Sequence, residues 1–176
     1  DGYSTDEIEL KGPECLVFFL GGMQRSSSAK TDFIGFSKNP SDPFSRSGTN
    51  RKGPFFEFAT GRFADSSRNT TNGKLQVYID PLPGGVDQPI LYASAYDGRG
   101  YQTADISDWM TNGPYRLNSS TYLNPKSYQL ISPGFDHAYG EGGTYVEDTA
   151  DTTLTGSRSP ERDNITNFKN AMLAPN

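Results

Sequence analysis

The sequence predicts an α+β domain in which a short N-terminal helix packs on a small antiparallel β-sheet, with long loops and a C-terminal Gly/Asp-rich loop. Three observations carry this expectation. One compact apolar run lies near the start, closed by paired glycines. Short alternating or apolar runs follow at intervals, each bounded by Pro, Gly, Asn or Asp. Glycines (19) and prolines (12) are scattered between these runs and form no block, which suits a folded, loop-rich chain better than a disordered one. An apolar fraction of 33% over 176 residues fits one domain, 1–176, with a modest core.

The helix is expected first. Ser4-Thr-Asp-Glu7 offers a cap and early acidic residues, and Pro13-Glu-Cys-Leu-Val-Phe-Phe-Leu20 then runs to Gly21-Gly22. Proline near the start and glycine past the end follow the usual asymmetry of helix termini. Leu16, Phe19 and Leu20 share one face. Cys15, the single cysteine, sits inside this run, so core packing is its expected role and no internal disulfide can form.

Residues 24–54 read as an irregular loop pinned at intervals by Phe33, Phe36, Phe44, Phe55 and Phe56. Three strands follow: 75–79, alternating and half-buried, then 89–94 and 127–132. Asp97-Gly98 and Phe135-Asp136 mark tight turns after the second and third. The stretches 80–98 and 124–136 resemble each other, each passing from an Asx-Pro turn through a strand into a Gly/Asp loop; two copies make a reused device and not a repeat array. From Gly134 to Arg162 the chain is Gly/Asp/Thr-rich with little periodicity. A loop of that length inside a compact domain is usually functional, mobile or held by something other than a core, and a metal ion is one candidate clamp.

Charge narrows the partners. Sixteen basic against 21 acidic residues give a net charge of −5, and no basic run exists to neutralise phosphates, which argues against nucleic acid. Clustered carboxylates in Gly-rich loops suit a hard cation such as calcium. No apolar stretch reaches the ~18–20 residues of a membrane-spanning helix. His137 is the only histidine, expected to be exposed and without a chemical role, and no hydrolase, zinc or phosphate-loop motif is present. Asp80, Asp97, Asp105 and Asp108 are numerous enough for paired-carboxylate chemistry, but acids in turns usually cap backbone. Tyr92, Tyr96, Tyr101, Trp109 and Tyr115 either line a glycan-binding face or complete the core. Asn69, Asn118 and Asn164 open Asn-x-Ser/Thr acceptor patterns, which point to surface loops.

Tyr128-Gln-Leu-Ile-Ser-Pro-Gly-Phe-Asp136, Gly140-Glu-Gly-Gly143 and Asp163-Asn-Ile-Thr-Asn-Phe168, with Asn124-Pro125 before them, resemble the C-terminal region of type II secretion major pseudopilins and type IV pilin-like proteins. The whole chain, with Gly12-Pro-Glu-Cys-Leu-Val-Phe-Phe-Leu-Gly-Gly22, Gly53-Pro-Phe-Phe-Glu57 and Asp97-Gly-Arg-Gly-Tyr101, resembles a diverged, enlarged member of planctomycete-like type. The resemblance implies a pilin-like fold. It also implies assembly with copies of itself and minor subunits into a periplasmic or surface filament, and inner-membrane anchoring before assembly through an N-terminal apolar helix that this sequence lacks. It implies no catalysis. It places a calcium ion at the C-terminal loop, with Asp136 as the first loop carboxylate, Asn164 where the family has an Asp, and Asp163 or Glu141 supplying the missing charge. The alternative from another class is a secreted β-rich module that binds a glycan or a protein.

Overall fold

A computed structural model describes residues 9–26, 30–68, 75–83 and 87–174. The expected cap at Ser4 to Glu7 and the Asn69 acceptor lie outside them. The chain mixes short helices with small antiparallel sheets, as an α+β reading requires. It divides into two compact units, one holding Asp1–Leu10 and Glu14–Tyr78, the other Lys11–Pro13 and Ile79–Asn176.

Helix α1 spans Gly12–Gly21, within a residue of the expected bounds. Pro13 enters its first turn, where a missing N–H costs nothing, and Glu14 favours the positive end of the helix dipole. Gly22 ends it at φ +79°, and a Cβ there would lie 2.4 Å from the backbone of Gly35. The face turned inward is set by Glu14, Val17 and Gly21, while Phe19 stands 57% exposed. The expected Leu16/Phe19/Leu20 face is therefore not the buried one. The reason is polar: Glu14 is drawn inside by two donors, Ser66 Oγ at 2.5 Å and Arg68 Nη1 at 2.8 Å, and it carries the helix round with it. Cys15 is half-buried.

The first unit has two hairpin-like pairs, β1 (Phe36–Ser37) with β2 (Arg51–Lys52), and β3 (Phe63–Asp65) with β4 (Gln76–Tyr78). Phe33, Phe58, Phe63 and Tyr78 form its ring cluster, with neighbouring centroids 4.8–6.2 Å apart. Of the five expected aromatic pins only Phe33 and Phe36 are half-buried; Phe44, Phe55 and Phe56 are exposed. The loop is pinned by a cation instead. Arg51 donates to the carbonyls of Ile34, Gly35, Ser45 and Ser47 at 2.7–3.2 Å, because irregular backbone leaves carbonyls that no ladder satisfies. Strand β4 is buried along its whole length and not half-buried as expected. Gln76 tolerates this because its amide donates to Asp65 Oδ1 at 2.8 Å.

The second unit is built on a three-stranded antiparallel sheet, β5 (Leu91–Ser94), β6 (Tyr128–Ser132) and β7 (Ile165–Thr166), in that order. Leu91 pairs with Ile131, and Ser132 with Ile165. The two similar stretches of sequence thus end as adjacent strands. Leu91, Ala93 and Ile131 face a core completed by Ile106, Met110, Tyr115, Leu154 and Leu173, all essentially inaccessible. After β5 the chain turns through Tyr96 and Asp97 at positive φ, and Gly100 N–H donates back to Ala95 at 3.1 Å.

Gln129 of β6 is wholly buried yet polar. Its Oε1 accepts Tyr115 N–H at 2.8 Å, and its Nε2 donates to the carbonyls of Tyr115 and Leu123 at 2.7 and 2.8 Å. One amide side chain does the work of a missing strand for 115–123. Gln129→Leu keeps the volume but strands the Tyr115 N–H and the Leu123 carbonyl, each worth about 1–3 kcal/mol when unsatisfied, while the Tyr115 carbonyl keeps the Leu123 N–H at 3.1 Å. The expected loss is about 3 kcal/mol in urea unfolding, with the m-value unchanged.

Candidate functional site

The segment from β6 to β7 holds every position expected to bind metal. Beyond β6 the chain turns through Gly134 to His137, and Asp163 closes that turn: its Oδ2 accepts Phe135 N–H at 2.6 Å and Asp136 N–H at 3.0 Å. Gly134 makes the approach feasible, since a Cβ on it would meet the Asp163 carbonyl oxygen at 2.4 Å. Asp136 caps its own loop by accepting Ala138 N–H at 2.8 Å. Burial, and then the nearby charge of Asp163, push the Asp136 carboxyl above the usual carboxylate range. His137 sits at φ 57° and is half-buried, less exposed than expected, with a shielded Nε2 that has no partner among the described residues.

The Gly-rich loop has a different centre. The 3-10 helix Gly156–Asp163 presents Glu161, which is fully buried. Glu161 Oε1 accepts the N–H groups of Glu141 and Gly142 at 3.1 and 3.0 Å and Arg158 Nε at 2.8 Å; Oε2 accepts Arg158 Nη2 at 2.7 Å. Successive backbone N–H groups in a glycine-rich turn make a nest that attracts negative charge. Here that anion is the chain's own carboxylate. The long loop also contains short helical turns at Glu147–Thr149 and Ala150–Thr153, and Arg162 pairs with Asp151 at 2.9 Å.

Of the four expected calcium positions, Asp136 and Asp163 come together. Glu141 gives its N–H to Glu161, and its Oε2 meets Asn112 Nδ2 at 3.4 Å. Asn164 lies in the core, where Nδ2 donates to Tyr115 Oη at 3.0 Å and to the Tyr139 carbonyl at 2.9 Å; its Oδ1 has no partner among the described residues. Among the described residues, no group of three or more histidine, cysteine or acidic side chains is placed to hold a metal ion. Asn164 is also the wrong place for a surface acceptor, against the loop expectation; Asn118 fits that expectation, capping an exposed turn through Ser120 and Thr121 N–H.

The remaining candidates resolve into structural roles. Asp80 accepts Leu82 N–H, Asp105 accepts Tyr96 Oη at 2.9 Å, and Asp108 pairs with Lys11 at 3.1 Å. Burial raises the Asp105 carboxyl. Tyr101 and Tyr115 are in the core: burial pushes the Tyr101 phenol up to about 12, and burial with the Glu161 charge lifts Tyr115 well above its ordinary value. Trp109 packs against that core, while Tyr92 stays half-buried and Tyr96 exposed. In the first unit an open cleft of about 150 Å³ is lined by Leu10, Val17, Phe18, Met23 and Phe33, below the ~300 Å³ of ordinary small-molecule pockets.

Glu161 and Gln129 were not singled out in the sequence. Arg158 and Glu161 stand at i,i+3, the only local signal of that ion pair. Comparison with known proteins gives no match, whether to a family model, to a curated protein or to a solved structure.

Glu161→Ala removes the acceptor of two amides and leaves a half-buried guanidinium without its partner. The expected loss is about 3–5 kcal/mol, and Arg158→Met with Glu161→Met costs less than the two single changes added, since the buried charges leave together. A double-mutant cycle in denaturant measures this. Asp136 gives a pH signature. Its folded pKa is raised, so its stabilising share is complete below the ordinary carboxylate range and is lost as pH rises through the raised value. Asp136→Asn therefore raises the thermal midpoint at neutral pH, and the gain over wild type fades on acidification.

Proposed function

We propose that this chain is the globular part of a pilin-like filament subunit, akin to type II secretion major pseudopilins or type IV pilin-like proteins, acting at the periplasm or cell surface. It works by assembling with copies of itself and with minor subunits, not by catalysis. The observation that carries this reading is the continuity of the segment on which the resemblance rests. Strand β6 runs into the Gly134 turn, Asp163 grips that turn, and β7 returns beside β6. Elements that are coupled in the resemblance are coupled here by hydrogen bonds.

Calcium belongs to the same proposal, at Asp136 and Asp163. Two neighbouring carboxylates, one with a raised pKa from burial and like charge, are a setting that a hard cation relieves. Remaining ligands would come from backbone oxygens and water. A second reading, a secreted module binding a glycan, is favoured by Tyr92 and Tyr128, whose rings lie 5.9 Å apart with Tyr128 exposed. The burial of Tyr101 and Tyr115 removes two of the five rings that such a face would have used.

Thermal unfolding with calcium and then with chelator tests the cation: a midpoint raised by several degrees, and no longer raised in Asp136→Ala, is expected. An unchanged midpoint removes calcium and leaves a fold held by its own packing and hydrogen bonds. Light scattering over a concentration series tests assembly. Growth in mean mass is expected; a strictly monomeric chain that retains an oligosaccharide would favour the module.

A further inference from the structure

Four phenylalanines of the first unit, Phe19, Phe44, Phe55 and Phe56, are each 48–57% exposed. Phe19 and Phe44 both touch the ring of Phe18, at 5.3 and 6.0 Å, so they continue one apolar surface on the outer side of α1. Phe55 joins the end of that helix, its N–H donating to Leu20 at 2.7 Å. Phe56 leans on Phe58 at 4.8 Å. Phe19 and Phe44 are contiguous through Phe18, and contiguous exposed rings, unlike singly scattered ones, mark an interaction surface. Their edge is cationic. Lys52 Nζ stands 5.9 Å from the Phe55 ring centre, Arg46 is exposed, and residues 38–62 hold five basic residues against two acidic.

An apolar surface with a basic rim suits an acidic partner, and the chain itself supplies one: apart from the Arg158–Glu161 pair, whose carboxylate is buried, residues 79–174 carry eleven acidic residues against five basic. We propose that the phenylalanine surface of residues 19–56 docks on the acidic second unit of another copy of this chain. The two surfaces are different, so the contact is heterologous and repeats from copy to copy, as a filament where the rotation between copies does not close and as a ring where it does. This rests on the self-assembly reading and gives it an interface. An anionic membrane is the competing occupant, but it would repel the rest of a chain whose net charge is −5.

Sedimentation equilibrium of the full chain at low and moderate salt tests this. Wild type is expected to associate, more weakly as salt rises. Phe44→Ser with Phe55→Ser, and separately Arg46→Glu with Lys52→Glu, are each expected to weaken association about tenfold or more, as loss of interface anchors does. Exposed positions should leave the thermal midpoint in place, and that measurement excludes misfolding as the cause. Variants that associate as tightly as wild type would overturn this interface and spare the self-assembly reading. A wild type that stays monomeric at every concentration would overturn both. Flotation with phosphatidylglycerol vesicles, retained by wild type and lost in both variants while copies fail to associate, would assign the surface to membranes instead.

Discussion

The second unit depends on one buried carboxylate. Glu161 draws the amides of Glu141 and Gly142 toward itself and holds Arg158 beside it, and this grip fixes where the Gly140–Gly143 loop passes over the core. The requirement is reciprocal. Gly142 sits at φ +75° with the Gly113 carbonyl where a Cβ would go, and Gly140 has Glu161 Cγ at 2.5 Å from its own notional Cβ. Removing side chains from the loop is what lets an anion enter it, and the anion is what keeps a glycine-rich strip of backbone in one conformation, against the large entropy such residues lose on ordering.

The same device recurs at smaller scale through the molecule. Asp163 caps the turn after β6, Gln129 stands in for a strand beside residues 115 and 123, Arg51 gathers four carbonyls of the loop before it, and Glu14 binds α1 to Ser66 and Arg68. With strands of two to five residues, ladders satisfy little of the backbone. Buried side-chain amides, carboxylates and a guanidinium take over that task. A chain with only 33% apolar residues can reach a defined structure this way, because each polar anchor is charge-assisted or makes several bonds at once.

These anchors also bear on function. In the first unit Arg51 satisfies the carbonyls of the loop, and the rings of Phe44, Phe55 and Phe56 stand half-exposed at its surface.

Much was legible from residue order. The helix from Gly12 to Gly21, the strands near 76–78, 91–94 and 128–132, and the turns at Asp97 and Asp136 follow from local rules: apolar period, proline and glycine at termini, Asx residues in turns. Those rules act over a few residues, so sequence alone carries them. Which polar residue goes inside was not legible. Gln129, Glu161 and Asn164 are buried and Phe19, Phe44 and Phe55 exposed, a reversal of their hydropathies. Their partners lie far along the chain, Gln129 with Tyr115, Asn164 with Tyr139, Glu161 with Gly142. A local pattern determined where helix, strand and turn occur; only the tertiary structure decided which side chains they bury, because a buried polar group is stable only where a distant donor or acceptor meets it.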